Sequence, residues 1–98
     1  MPKGTIVVPT TDPDATDVCE RIEGLFARNI GGYSTYEGFG GWHNGEEIIE
    51  EPHARIVVSH ENPNVVSAGL ATARSIVKDN LDEDEVLTEI VDSTVEVR

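Results

Sequence analysis

The spacing of apolar residues alternates along this chain between a period of two and a period of three to four. It does so in the order strand, helix, strand, strand, helix, strand. Thr5-Ile6-Val7-Val8 is a β-branched run closed by Pro9 and reads as a buried strand. Ala15, Val18, Cys19, Ile22, Leu25 and Phe26 then recur at helical spacing, with Asp17, Glu20, Arg21 and Arg28 on the other side. Asp12 or Asp14 is placed to accept the orphan N–H groups at the start of that helix, and Gly31-Gly32 to end it.

Tyr33 to Trp42 is rich in glycine and aromatics and reads as a twisted or bulged edge strand. Asn44-Gly45 is the strongest short hairpin signal a sequence can carry. The return strand spans about Glu47 to His60, with Pro52 marking a bulge or an exposed N–H position. Asn62 as N-cap with Pro63 at the first helical position opens a second helix. Its apolar stripe is Val66, Gly69, Leu70, Ala73, Ile76 and Val77, with Leu81 near its end. From Glu85 to Val97 the residues alternate again. The break at Asp92-Ser93-Thr94 leaves two forms open, one kinked strand or a small terminal hairpin.

The resulting order, β-α-β-β-α-β, is the ferredoxin-like split βαβ pattern. It predicts one α+β domain over residues 1–98, a four-stranded antiparallel sheet with both helices on one face. The first and third strands, the two most apolar, would lie in the centre. The other sheet face is then bare, and a domain this small has a thin core. Such faces are commonly covered by sheet-to-sheet pairing, so a homo-oligomer is expected.

The hairpin indicates which side chains lie on that face. With Asn44-Gly45 as a two-residue turn, Trp42 faces Glu47, Gly40 faces Ile49, Gly38 faces Glu51 and Tyr36 faces His53. Ala54, Ile56 and Val58 would face the helices, together with Ile48, Glu50 and Phe39. Tyr36, Trp42, Ile49, Glu51, His53, Arg55 and Val57 would then share the open face. A bulge at Gly40-Gly41 or Pro52 would shift the register by one and reverse the assignment.

Three uses of this face stand side by side. Aromatic residues and arginine are enriched at protein interfaces, so Tyr36, Trp42, Ile49 and Val57 suit self-association. Arg55 beside His53 could hold a carboxylate or phosphate, which makes a sensor of an anionic metabolite the alternative. A cofactor-independent enzyme with His53 as base and Glu51 orienting it is a third reading, since imidazole works as an acid–base group near neutral pH. No metal-ligand spacing occurs among His43, His53 and His60, and no cofactor motif is legible. Asp82-Glu83-Asp84-Glu85 lacks the glycine and spacing of a calcium loop. Gly38-Phe39-Gly40-Gly41 is not a phosphate loop, because it lacks GxxxxGK[ST] and does not lead into a helix. Cys19 sits on the apolar stripe of its helix and reads as a small buried hydrophobe.

Charge narrows the partners. The 98 residues carry 19 Asp and Glu against 7 Lys and Arg, a formal charge of −12. Nucleic-acid contacts need clustered cations, and anionic membranes attract them, so neither partner is expected. No apolar run reaches the roughly 20 residues of a membrane span, and the first residues show no signal peptide. A single cysteine forms no internal disulfide, so a cytoplasmic setting is the expectation. The acidic composition, with Lys3 and Lys78 the only lysines, resembles that of cytoplasmic proteins of salt-accumulating haloarchaea or their viruses.

The run Gly31-Gly32-Tyr33-Ser34-Thr35-Tyr36-Glu37-Gly38-Phe39-Gly40-Gly41-Trp42 is followed by Gly45, Ile48-Ile49-Glu50-Glu51-Pro52 and Ile56-Val57-Val58. It resembles a segment of small uncharacterised proteins of microbes and their viruses, in which a glycine and aromatic stretch precedes an acidic-proline step into a β-branched strand. That resemblance implies a ferredoxin-like fold and carries over no catalytic residue. The layout is also similar to the trimeric regulatory proteins of the PII and CutA type. The chain departs from PII in lacking a long basic ligand-binding loop, which puts nucleotide binding in doubt.

Overall fold

The computed structural model describes residues 1–83 and 85–92. Its elements are β1 (Pro2–Pro9), α1 (Ala15–Asn29), β2 (Ser34–His43), β3 (Ile48–Ser59), α2 (Pro63–Asn80) and β4 (Thr88–Asp92). The strands form one antiparallel sheet in the order β2-β3-β1-β4. This is the expected α+β sandwich, with β1 and β3 central. Of the stretch 85–97, Thr88–Asp92 is a strand; the choice between a kinked strand and a terminal hairpin falls on residues 93–97, which lie outside the described residues, as does 98.

Period-2 alternation decides the core. Even positions of β1 and β3 (Ile6, Val8, Ala54, Ile56 and Val58) are buried against the helices. Helix α1 meets them with Ala15, Val18, Ile22 and Phe26, and α2 with Val66, Leu70, Ala73 and Val77. Each large apolar side chain so buried contributes about 1.5–3 kcal/mol of transfer free energy. Gly4 lets α2 approach β1, because a Cβ there would lie 2.5 Å from Val66 Cγ1 and 2.9 Å from Leu70 Cδ1. No polar or charged residue is buried among those described, and no helix there is long and apolar enough to cross a membrane.

The helix ends differ in how far they follow expectation. Asn62 caps α2, its side chain accepting from Asn64 N at 2.9 Å, with Pro63 in the first turn. Neither Asp12 nor Asp14 caps α1 in that way. Asp14 occupies the N-cap position without a side-chain cap bond, and Asp12 Oδ1 accepts from Asp14 N at 2.8 Å, closing the turn before the helix. Asp12 is therefore spent on the loop, a competing local bond open to short acidic side chains. At the other end Gly31 takes φ +111°, and its N–H donates to Phe26 O at 3.1 Å.

The hairpin register differs from the two-residue turn. Opposed residues are Trp42↔Ile49, Gly40↔Glu51, Gly38↔His53 and Tyr36↔Arg55, so Asn44 to Glu47 form a four-residue loop. Asn44 explains the difference. Its Oδ1 accepts from both Glu46 N and Glu47 N at 2.9 Å, and its N–H donates to Glu47 O at 3.1 Å. The pairing moves by one whole cross-strand step, so every residue keeps its face. The ladder runs without a bulge through Gly40-Gly41 and through Pro52. Pro52 O accepts from Thr10 N at 3.0 Å, so the missing N–H of Pro52 points to the same side, just where β1 has ended.

Candidate functional site: the open face of the sheet

With both helices on the even face, the odd residues of β1, β3 and β4 and the even residues of β2 form an uncovered surface. The pairings arrange it in rows. Tyr36, Arg55 and Val7 make one row, and Ser34, Val57, Thr5 and Glu89 the next. Lys3 and Val91 follow on one side, while Gly38 with His53, Gly40 with Glu51 and Trp42 with Ile49 follow on the other. All six candidate residues, Tyr36, Trp42, Ile49, Glu51, His53 and Arg55, therefore share this face.

They do not form one site. Tyr36 and Arg55 border a shallow cavity of about 340 Å³ that is completed by Lys3, Thr5, Val57, Glu89 and Val91. Trp42, Glu51 and His53 border a second of about 200 Å³ with Val7, Pro9, Gly40, Gly41 and Pro52. Ile49 lies beyond both, opposite Trp42 near the hairpin tip. Tyr36 is 60% exposed and Trp42 53%, so neither aromatic is part of the core.

His53 has a defined setting. Positions for a Cβ at Gly38 and Gly40 lie 3.5 and 3.6 Å from its ring nitrogens, so the imidazole rests across two residues without side chains. Arg55 Nε donates to His53 Nε2 at 3.3 Å. The orienting partner is thus Arg55, one cross-strand row away on the same strand, and not Glu51. In that bond Nε2 is the acceptor toward the guanidinium.

The other histidines act in turns. His43 Nδ1 accepts from Gly45 N at 3.1 Å, and His60 Nδ1 accepts from Asn62 N at 2.9 Å. Among the described residues no group of three or more His, Cys, Asp or Glu is placed to hold a metal ion. Cys19 is half-buried on α1. Burial, then the charges of Glu23 and Glu37, push its thiol up from 9.0 to about 11, which leaves it protonated and a poor nucleophile.

Reading the hairpin alone missed Lys3, Thr5 and Glu89. Their signal was available: Lys3, Thr5 and Val7 alternate with the buried Ile6 and Val8, so the central strand assigns them to the bare face. Glu89 follows only once β4 is registered against Thr5.

Solved structures share this arrangement. Divalent ion tolerance protein CutA1 from Ehrlichia chaffeensis superposes with a TM-score of 0.70 at 14% identity, covering 98% of this chain and 83% of that one. What is shared is the ferredoxin-like arrangement of four strands and two helices. The PII-like protein CutA from Nostoc sp. PCC 7120 matches at TM-score 0.60 and 10% identity, covering 95% of this chain and 81% of that one. A phage SAM lyase in complex with S-methyl-5'-thioadenosine matches at TM-score 0.67 and 13% identity, covering 92% and 79%. No protein-family model matches the chain, and no curated protein does. Identities this low establish shape and leave activity to the site.

Proposed function

We propose that this chain is a self-associating interaction module that works through its open sheet face. The observation that carries this is electrostatic. On a chain of formal charge −12, the strands of the open face hold Lys3 and Arg55 against Glu51 and Glu89, with Asp82, Glu83 and Glu85 along one edge beside Val7 and Pro9. None of the four is in a salt bridge among the described residues. A second copy therefore meets no net charge from the strands here, around the exposed Tyr36 and Trp42.

Area supports the same reading. Four strands about 4.8 Å apart are about 19 Å wide, and a strand the length of β1 is about 26 Å long, giving about 500 Å² before side-chain relief. The protruding β2–β3 hairpin, with Trp42, adds to this. A standard interface buries about 800 Å² per partner, so this face supplies the larger part of one. The composition favours a salt-rich cytoplasm, where the repulsion between acidic copies is screened within about 3 Å at molar salt.

Light-scattering mass after gel filtration tests the proposal. A defined oligomer in molar KCl, reduced in mass by Trp42→Ala or Tyr36→Ala without loss of helical signal, is the expected result. A monomer at every salt concentration refutes it.

A further inference from the structure

We infer that the open-face cavity bordered by Tyr36 and Arg55 binds a small zwitterion, an α-amino acid with an apolar side chain. Lys3 and Arg55 both line this cavity of about 340 Å³ and share no carboxylate among the described residues. They offer charge-assisted donors to one acid group. Glu89 lines it too, and its carboxylate accepts hydrogen bonds and repels a second negative group. A ligand with one acid and one ammonium group satisfies all three. The Tyr36 ring, Val57 and Val91 supply apolar surface for its side chain.

The field of the whole molecule selects in the same direction. At −12 the chain repels any net anion on approach, whereas a zwitterion carries no net charge to be repelled. The volume lies at the small end of the range for ligand pockets, which suits a single amino acid better than a nucleotide. The inference rests on the self-association reading in one respect: a second copy over the face closes the cavity to water and strengthens these contacts.

Calorimetric titration in molar KCl tests it with three probes: leucine, its 2-hydroxy analogue and inorganic phosphate. Leucine is expected to bind saturably and better than the other two. Lys3→Ala and Arg55→Ala are expected to weaken leucine by about tenfold each, the loss of one charge-assisted bond. Glu89→Gln is expected to weaken leucine while leaving the hydroxy acid unchanged. No saturable leucine binding, binding indifferent to Lys3→Ala and Arg55→Ala, or phosphate binding as well as leucine overturns the inference. Light-scattering mass on the same samples separates the two proposals. Leucine bound to a monomer sustains this one and defeats self-association; an oligomer that ignores leucine does the reverse.

Discussion

Arg55 Nε donates to His53 Nε2 across 3.3 Å, two residues apart on one strand and on one face of the sheet. The bond links the two cavities, since Arg55 borders one and His53 the other. It also turns Nε2 of the ring toward the guanidinium as the acceptor. Nitrogen NMR of the neutral ring is expected to show His53 with its proton on Nδ1 and Nε2 as acceptor, and Arg55→Ala to return the ring to a mixture of tautomers. A wild-type ring already mixed shows that the bond does not persist in solution.

Two glycines separate packing from helix propensity. At Gly4 an added Cβ meets Val66 and Leu70, both buried in the core, so Gly4→Ala is expected to destabilise by about 1–3 kcal/mol. At Gly69 the Cβ meets Ile30 Cδ1 at 2.6 Å, the far end of a partly buried side chain that can turn aside. Alanine also improves a helix interior by about 1 kcal/mol, so Gly69→Ala is expected to be far milder. Denaturant midpoints of the two variants decide it; equal losses show that Ile30 cannot move.

Alkaline pH acts through Cys19. Below pH 9 the thiol is protonated in the folded and unfolded chains alike and adds no pH dependence. Between about 9 and about 11 the unfolded chain releases the proton while the folded chain keeps it, so stability falls as pH rises through that window. Cys19→Ala is expected to remove this part of the decline. Alkylation at pH 9 should be slower in the folded chain than in denaturant; equal rates contradict the raised thiol.

Salt acts through the whole charge. The melting temperature is expected to rise from low salt to molar KCl, because −12 charges repel one another in the compact state. Glu46→Gln with Glu47→Gln, both exposed in the hairpin loop, should reduce that rise without touching the core. A melting temperature indifferent to KCl places the composition outside salt adaptation.

The fold was legible because its signals are local and repeated. Asn62-Pro63 marks a helix start unaided, and the run Ile56-Val57-Val58 marks a buried strand. The hairpin register was not legible, because Asn44 spends its side chain on two backbone N–H groups, and nothing in the Asn-Gly pair reveals that. The facing of Tyr36, Trp42, His53 and Arg55 survived only because the slip was a whole cross-strand step. The site was half legible. Arg55 and Tyr36 could be assigned from alternation within the hairpin, whereas Glu89 joins them through a pairing between the two ends of the chain.

Strand β3 begins five residues before its pairing with β1, which ends at Pro9↔His53. Over residues 48–52 only β2 supports it along the ladder, apart from the bond from Thr10 to Pro52. The sheet therefore continues as a two-stranded cantilever about 17 Å long, rooted beside His53. Leverage follows from that length: a tilt of about 10° at the root carries the tip beside Trp42 through about 3 Å, while the core beneath is undisturbed. The aromatic at the end of the beam can thus be aimed without repacking a single buried residue.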